Sequence, residues 1–347
     1  MTFSEGGATS SVAPQLVPTS EPGRVDRLNL GITMVEIPNS IPERPFKNTG
    51  ASCFVNTALQ LLATDQAFVN KVLEHDCGSR CFLCILRDDF QISNPRVPQT
   101  QLQCQVLEMD GGPVWSQGEQ QDVCEFLQAI QSRGIDACAR GGPAAASFYD
   151  RFGIVLPDKI KCSRCSYEGG WRNDPSATIL FTLKRWRPNE GLLEAVNREM
   201  EVEKIDADRP EKDFKCPLCR NVGCSSRAWR FTRLPPCLLI AINRTSYARG
   251  TATTAKRLGG VQLQERLPLA CGGGTAQYEL VAAACHRGDR IDSGHWVTWR
   301  RGVTVGRREA WVIDDDRNRR LPHAADNLGE QVAVAVYMSI DQAATER

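Results

Sequence analysis

Cys53 is the residue best placed for nucleophilic chemistry. It follows a turn-like segment, residues 48–52, and opens an apolar run with helical spacing that Ser52 can cap. Free N–H groups and the positive end of a helix dipole favour a thiolate over a thiol. The same N–H groups can stabilise an oxyanion, and the side-chain amide of Asn48 can supply another donor. The alternative is that Cys53 is an ordinary small core residue.

A thiolate nucleophile needs a base, and the chain contains four histidines. His295 follows Gly294, where a backbone can approach a substrate closely, and it begins a predicted strand that fixes its ring. His286, the other candidate, ends the preceding predicted strand and fits a structural role. His75 lies in a cysteine cluster, and His323 lies in a loop without other chemistry. His295 is therefore the preferred base.

The third member of such a site is a carboxylate or amide that orients the imidazole. Three consecutive acids, Asp314, Asp315 and Asp316, end the next predicted strand. Because side chains alternate along a strand, one acid is expected to face His295 while the others are solvated. The alternative is a charged loop in which all three acids are solvated.

Two C-x-x-C pairs predict a metal site. Cys162 with Cys165 and Cys216 with Cys219 can bring four thiolates onto one tetrahedral zinc ion. The separation of the two pairs exceeds that of an ordinary zinc ribbon, so the spacing alone is weaker evidence. A redox role is disfavoured because a βαβ context is missing. Cys224 follows nearby and is interpreted as a spare thiol.

A second cluster can bind another zinc ion. It consists of His75, Cys77, Cys81 and Cys84, which form a complete ligand set within about ten residues. The alternative is a helical segment with buried thiols.

Composition excludes several classes of protein. The 347 residues are 41% hydrophobic, which can fill a sizeable core. The 42 basic and 41 acidic side chains oppose a nucleic-acid binder, which usually has a basic excess. Fifteen cysteines cannot all pair in disulfides. No signal peptide or spanning segment is recognisable, so we expect a cytoplasmic and/or nuclear protein with reduced cysteines and no membrane association.

The elements that must position these residues indicate an α+β fold. Helices are predicted over residues 53–62 and 120–130, with Gly134 as the stop. Short β-branched and aromatic runs follow after Phe148 and predict a mostly antiparallel sheet. The predicted strands are 179–183, 237–242, 278–281, 296–299 and 332–337. A helix interrupts them at 192–203, and residues 245–275 are expected to form long mobile loops.

Six segments match, in order, the motifs of one enzyme family. They are 46–62 (G-L-x-N-x-G-N-T-C-Y-x-N-S-x-L-Q-x-L), 120–127 (Q-Q-D-A-x-E-F-L), 234–244 (L-P-x-x-L-x-x-x-L-x-R-F), 286–296 (H-x-G-x-x-x-x-G-H-Y), 310–315 (Trp-Tyr-x-Phe-Asp-Asp) and 334–338 (Y-x-L-x-Y). The ordered set resembles the ubiquitin-specific protease family, the papain-like deubiquitinases. Ala51, Phe54 and a Trp-to-Asp spacing that reads one residue short depart from the pattern.

The resemblance implies a role for each catalytic candidate. Cys53 is the nucleophile, and His295 is the general base and then the general acid. Asp314 is the preferred orienting carboxylate, with Asp315 as the second choice. Asn48 stabilises the oxyanion.

The resemblance also implies a substrate. The expected reaction is hydrolysis of the isopeptide bond at the C-terminal glycine of ubiquitin, through an acyl-enzyme thioester and without a catalytic metal. Gln121, Asp122 and Glu125 are the expected contacts to the basic ubiquitin tail, unless the two acids are merely exposed on a helix. The expected partners are ubiquitin or polyubiquitin conjugates, and the protein is expected to be a monomer. The alternatives are an inactive ubiquitin-binding module and a protease for a ubiquitin-like modifier.

The expected architecture is a papain-like cysteine protease with a helical thumb, zinc-ribbon β fingers and an antiparallel β palm. A flexible tail over residues 1–40 precedes a catalytic domain at 41–345. Within that domain the thumb covers about 44–147, the fingers about 148–235 and the palm about 236–342. Zinc is expected in the fingers as a structural ion.

Overall fold

The fold is taken from a computed structural model, which describes residues 52–76, 82–90, 120–135, 143–171, 178–205, 214–247, 254–290, 293–305, 308–316, 318–322 and 328–340. The chain divides into two compact units, Met1–Glu36 and Ile37–Arg347, and every described residue belongs to the second. The predicted tail and the predicted roles of Asn48, Cys77 and Cys81 lie outside the described residues. Among the described helices, none is long and apolar enough to cross a membrane.

Five of the seven described α-helices contribute side chains to one apolar core. The bounds of the seven helices are α1 Cys53–Leu62, α2 Gln66–Leu73, α3 Phe82–Phe90, α4 Val123–Ala129, α5 Pro143–Phe152, α6 Leu192–Glu199 and α7 Leu328–Gln331. Every residue of α1 is buried, so this helix lies inside the core rather than on the surface. Ser52 precedes α1 as predicted, but its side chain does not cap the helix. Phe54 packs edge-to-face on Phe126 of α4, with ring centroids 5.3 Å apart.

The main sheet follows the predicted strands. The strands of the structure are β1 Asp158–Cys162, β2 Leu180–Leu183, β3 Glu203–Ile205, β4 Ser225–Trp229, β5 Cys237–Ile242, β6 Thr245–Tyr247, β7 Thr254–Lys256, β8 Arg266–Cys271, β9 Gly274–Arg287, β10 His295–Val305, β11 Arg308–Asp315, β12 Asn318–Arg320 and β13 Val332–Ser339. Eight of them form one sheet in the order β12-β11-β10-β9-β13-β5-β2, with β8 paired to β9. Its pairs are antiparallel except β2 with β5, so the predicted α+β class is confirmed.

The register of β9, β10 and β11 brings three strand ends together. His295, the first residue of β10, pairs with Arg287 near the end of β9. Thr298 pairs with Asp314 near the end of β11. Helix α1 contacts β9 and β10 from the core side. The start of α1, the start of β10 and the ends of β9 and β11 therefore lie at one edge of the sheet.

A separate three-stranded sheet carries the cysteine pairs. Its order is β1-β4-β3, and both pairings are antiparallel. Cys162 is the last residue of β1, and the second C-x-x-C pair lies in a turn closed by the bridge between Lys215 and Val222. This arrangement places the two pairs at one end of the small sheet.

Four predictions about elements were wrong in detail. The helix predicted to stop at Gly134 continues through it, because a π-helix over Ile130–Ile135 follows α4. The stretch 245–275 contains β6, β7 and β8 rather than only long loops. The helix predicted to continue to residue 203 ends at Glu199, because β3 begins at Glu203. Helix α5 runs through the boundary placed at residues 147–148, so the change from helix to strand comes a few residues later than predicted.

Candidate active site

Cys53 occupies the position that its sequence context predicted. It is the first residue of α1 and is 3% exposed. Because α1 packs against β10, the Cys53 thiol lies near His295, the residue at which β10 begins. N–H groups at the start of a helix lack acceptors within the helix, and they can stabilise negative charge that develops near Cys53.

His295 lies between Cys53 and an acid. Its Nε2 is 2.6 Å from Oδ1 of Asp315. A hydrogen bond with the side chain of Cys53, followed by the one with Asp315, raises the pKa of His295 to about 9 despite partial burial. Both neighbours therefore favour the imidazolium form, and a thiolate beside an imidazolium is the arrangement that activates a cysteine nucleophile.

The structure corrects the preference for Asp314 as the orienting acid. Oδ2 of Asp314 lies 2.6 and 2.5 Å from Nε and Nη2 of Arg300, and the carboxylate is buried. Asp314 shares a sheet face with its partner Thr298 and with Arg300, whereas His295 and Asp315 lie on the other face. Asp314 is thus part of a buried ion pair, and Asp315 is the acid at the imidazole.

The same geometry removes one departure from the family motif. In the Trp-Tyr-x-Phe-Asp-Asp pattern the first acid follows the Trp by four residues, and Asp315 follows Trp311 by four. The spacing read one residue short because the pattern was aligned on Asp314. Phe54 is also accounted for, since its fully buried ring packs in the core beside α4.

Asp316 and Asn56 join the site although neither was singled out as catalytic. Nδ2 of Asn56 donates to Oδ1 of Asp316 at 2.8 Å, and Oδ2 of Asp316 lies 3.7 Å from Nε2 of His295. Asp316 has a positive φ of 49°, which turns the chain out of β11. The match of Asn56 to the Cys motif was the available signal. The pair ties the end of β11 to α1, which fixes the acids relative to Cys53.

Gly294 is required for a different reason from the predicted approach to a substrate. Its φ is +153°, and an added Cβ would collide with the carbonyl oxygen of Arg287 and lie 2.8 Å from Nε2 of His286. The glycine therefore lets the turn after β9 pass close to its own strand and deliver His295.

A cleft of about 360 Å³ is lined by Trp296, the residue next to His295, and by His286, whereas Cys53, His295 and Asp315 are not part of its lining. Gln120, Gln121, Asp122 and Glu125 line it from the start of α4. Nε1 of Trp296 donates to the carbonyl oxygen of Gln121 at 3.0 Å, which anchors this segment to β10. The predicted substrate-binding residues are thus placed together on one wall of a cleft.

The two acids of this wall differ in their surroundings. Oδ1 of Asp122 accepts the N–H groups of Cys124 and Glu125, at 2.6 and 3.3 Å, and so caps α4. Burial raises the pKa of Asp122. Glu125 is the more exposed of the two acids, and partial desolvation of its carboxyl group, followed by the nearby Asp122 charge, raises its pKa. Of the two acids, Asp122 caps α4 and Glu125 has no capping role.

His286 belongs to the cleft, which its structural interpretation did not foresee. Its Nε2 lies 2.9 Å from Nε2 of Gln120, and its Nδ1 lies 2.9 Å from Nζ of Lys256. Its ring stacks at an angle on Trp296, with centroids 4.7 Å apart. Burial, followed by the charges of Lys256, Arg244 and His295, lowers the pKa of His286 to about 4. His286 is therefore neutral at physiological pH.

The four cysteines of the small sheet have the geometry of a zinc site. A Zn–S distance of about 2.3 Å in a tetrahedron separates the sulfur atoms by about 3.8 Å. Sγ of Cys162 is 3.8 Å from that of Cys219, and Sγ of Cys165 is 3.7 Å from that of Cys216. All four sulfur atoms lie within 4.8 Å of one another. The four cysteines are thus compatible with a structural zinc ion.

The second predicted zinc site is described only in part. The carbonyl oxygen of His75 accepts a hydrogen bond from Nη1 of Arg87 at 2.7 Å, and Cys84 is buried in α3. Cys77 and Cys81 lie outside the described residues, so the second ion stays a prediction.

A cysteine at a helix N-terminus facing a histidine and an acid on an antiparallel sheet defines the papain-like class of cysteine proteases. The family model described as "Ubiquitin carboxyl-terminal hydrolase" matches residues 45–337. The chain therefore belongs to the ubiquitin carboxyl-terminal hydrolase family.

Curated relatives are distant. The chain is 23% identical to mouse (Mus musculus) ubiquitin carboxyl-terminal hydrolase 17-like protein C over 84% of its length and 54% of that protein. It is 24% identical to human (Homo sapiens) ubiquitin carboxyl-terminal hydrolase 42 over 72% of its length and 20% of that protein. The chain thus spans about half the length, or less, of these curated relatives.

Solved structures confirm the fold. A Ubp8/Sgf11/Sus1/Sgf73 DUB module of SAGA bound to monoubiquitin matches with a TM-score of 0.67 and 17% identity, over 88% of this chain and 71% of that one. The same module bound to ubiquitin aldehyde matches with a TM-score of 0.66, over 86% of this chain and 70% of that one. At this level of identity the similarity establishes the papain-like architecture alone.

Proposed function

We propose that this protein is a cysteine-type deubiquitinase that hydrolyses the isopeptide bond at the C-terminal glycine of ubiquitin. The observation that carries the proposal is the convergence of Cys53, His295 and Asp315 at one sheet edge. A cleft with polar and acidic side chains is lined by Trp296, the residue next to His295. Family membership supports the choice of ubiquitin as the substrate.

Acylation begins from the thiolate and the imidazolium. Asp315 engages Nε2 of His295, so Nδ1 is the nitrogen left for Cys53. The thiolate attacks the carbonyl carbon of the terminal glycine, and the oxyanion is stabilised by N–H groups at the start of α1, with Asn48 as the proposed further donor. His295 then gives its proton to the departing lysine amine, which leaves a thioester on Cys53.

Deacylation reverses the role of His295. The neutral imidazole takes a proton from a water molecule, whose oxygen attacks the thioester carbonyl. The C–S bond breaks and releases the Cys53 thiolate, and ubiquitin leaves as a carboxylic acid that loses its proton to solvent. The proton taken from the water molecule stays on His295 and restores the ion pair with Cys53. Asp315 remains charged and keeps the imidazole in place throughout.

The acidic wall of the cleft suits a basic peptide tail. Glu125 is exposed, and the carboxylate of Asp122 caps α4 at the edge of the same cleft. We propose that these acids and Gln121 contact the C-terminal tail of ubiquitin. A structural zinc ion held by Cys162, Cys165, Cys216 and Cys219 would stiffen the small sheet and take no part in the chemical steps.

The state of the cysteines bears on the cellular compartment that we propose for the protein. The cysteines that the structure describes form no disulfide with one another. We place the protein in the cytoplasm or the nucleus, where cysteines are kept reduced, and propose that it acts on ubiquitin conjugates as a monomer.

The test is labelling with ubiquitin that carries a C-terminal electrophile. We expect one covalent adduct on the wild type, none on Cys53→Ala, and full labelling of the control Cys271→Ala. Cleavage of differently linked di-ubiquitins by the wild type but not by Cys53→Ala would establish turnover. Binding of ubiquitin without labelling would identify an inactive binding module, and labelling only by a probe made from a ubiquitin-like modifier would change the substrate.

A further inference from the structure

Lys256 makes an unusual set of contacts beside the candidate active site. Its Nζ lies 2.9 Å from Nδ1 of His286 and 2.8 Å from the carbonyl oxygen of the same residue. It also donates to the carbonyl oxygen of Gly288. An ammonium group has three N–H donors and no acceptor, so these three acceptors use all of its donors.

The contact with Lys256 decides the tautomer of His286. Because an ammonium only donates, Nδ1 of His286 must be the unprotonated nitrogen of the ring. A neutral imidazole carries one proton, and that proton must therefore lie on Nε2. The Nε2–H group then points at the carboxamide of Gln120, which is 2.9 Å away.

The tautomer in turn decides the orientation of Gln120. A carboxamide can be turned by 180° in the same space, because its oxygen and nitrogen have nearly the same shape. Nε2–H of His286 needs an acceptor, so the oxygen of Gln120 must face the ring. Since Gln120 lines the cleft, its NH₂ group is left to donate into the cleft.

We propose that Lys256 is a positioning residue of the cleft, which holds His286 as the Nε2–H tautomer and thereby aims the NH₂ group of Gln120 at the substrate backbone. The proposal rests on the proposed function, since the carbonyl group that would accept this hydrogen bond belongs to the peptide tail in the cleft. An extended peptide tail presents its backbone C=O groups to the cleft. A fixed N–H donor in the cleft therefore favours one alignment of the tail over others.

The groups around His286 keep its ring neutral across the physiological pH range, so the orientation of Gln120 does not depend on pH there. Lys256 from β7, Arg244 after β5 and His295 from β10 all add positive charge near the ring. Asp122 lines the same cleft from the start of α4, and Asp289 lies near Lys256. Burial and the three cations oppose a second proton on His286, so the ring keeps one tautomer.

Nitrogen NMR of histidine-labelled protein tests the tautomer directly. In the wild type we expect His286 as Nε2–H, with no titration between about pH 5 and 8. In Lys256→Met we expect a mixture of tautomers and a pKa that rises toward the ordinary value of 6.5. Lys256→Arg retains a cationic donor and is expected to preserve the wild-type signal. Lys204→Met, at an exposed lysine of β3, is the matched control.

Kinetics on a ubiquitin C-terminal fluorogenic substrate test the consequence. Lys256→Met is expected to raise KM about fivefold to tenfold at pH 8, as one lost hydrogen bond would, with a smaller change in kcat. The defect should grow as the pH falls, because loss of the Lys256 charge raises the pKa of His286, although burial still holds that pKa below its ordinary value. Gln120→Glu keeps an acceptor for His286 but has no donor, so it should reproduce the rise in KM.

Two results would overturn the role of Lys256. One is a proton on Nδ1 of His286 in the wild type, and the other is an unchanged tautomer and pKa in a folded Lys256→Met variant. Because the NMR signal requires no turnover, it separates this proposal from the proposed function. An inactive wild type with the expected tautomer would leave the effect of Lys256 on His286 and Gln120 standing and refute the deubiquitinase.

Discussion

The imidazole of His295 is surrounded by two groups that favour its charged form. The hydrogen bond with Cys53 and the contact with Asp315 raise its pKa from 6.5 to about 9. Since the folded protein binds this proton more tightly than the unfolded chain does, the stabilisation is complete below about pH 6.5 and is lost as the pH rises through about 9.

This residue leads to a prediction about activity and pH. We expect kcat/KM of the wild type to fall on the alkaline side near pH 9, where His295 loses its proton. Asp315→Asn removes one of the groups that raise the pKa, so the alkaline fall should move to lower pH. It should also lower kcat/KM by about 10²-fold or more. Rates measured from pH 6 to 10 would check both effects.

Asp314→Asn provides the matched control for Asp315→Asn. It removes a charge next in the chain, but the affected partner is the buried Arg300. We expect lower stability and an alkaline limb that stays near pH 9. An unchanged pH profile in Asp315→Asn, or a shifted profile in Asp314→Asn, would contradict the assignment of the two acids.

At this scale the sequence predicted the cysteine and the histidine better than the acid. Cys53 and His295 each begin a regular element, so their local context was visible. The choice between Asp314 and Asp315 depends on the register between β10 and β11, and one residue of register moves a side chain to the opposite face. In a run of three acids, nothing in the local sequence shows which acid the strand register places beside His295.

Among the elements, α2 and α5 are joined by a buried ion pair. Oδ2 and Oδ1 of Asp65 accept hydrogen bonds from Nε and Nη2 of Arg151, at 2.7 and 2.8 Å. Asp65 also caps α2 through the N–H groups of Ala67 and Phe68. The carboxylate thus serves a helix start and a helix–helix contact at once.

Removing the cation of this pair should be costly. Arg151→Met leaves a buried carboxylate without its counter-ion, and we expect the free energy of unfolding to fall by about 3–5 kcal/mol. Arg233→Met breaks an exposed pair with Asp150 and should change it by about 1 kcal/mol or less. Urea titrations of both variants make the comparison. Equal effects in the two variants would show that burial of the pair is not decisive.

The sequence predicted elements well where the pattern was long and apolar. Residues 237–242 and 332–337 were recognised because central strands buried on both faces are nearly continuous apolar runs. The short strands β6 and β7 were missed because glycine and charged residues around them resemble a loop. Their pairing depends on position in the folded chain and not on local propensity.

For the whole molecule, zinc should tie the small sheet together. We expect at least one zinc ion per purified chain, and one fewer in Cys165→Ser, by elemental analysis. Cys224→Ser is the control. Its Sγ lies 3.3 Å from that of Cys162, yet it is outside the set of four, so zinc should be retained. A second ion in the wild type would support the cluster of His75, Cys77, Cys81 and Cys84.

Unchanged zinc content in Cys165→Ser would refute the four-cysteine site. The sequence predicted the four ligands from two local spacings, although it could not show that the pairs meet. That meeting depends on β1 and β4 pairing side by side, with Cys162 opposite Ser225. The order of motifs along the chain, in turn, predicted the papain-like architecture because the whole set belongs to one family.

The hydrogen bond between Asn56 and Asp316 joins residues 260 positions apart. During synthesis, at about 5–20 residues per second, the helix that carries Cys53 must wait on the order of 13–50 seconds for its partners to be made. Throughout that interval the burial of α1 is incomplete, because β9 and β10, which pack against it, are made late in the chain. The proposed active site is therefore incomplete until β10 and β11 have been made. During this time we expect chaperones to bind the nascent chain.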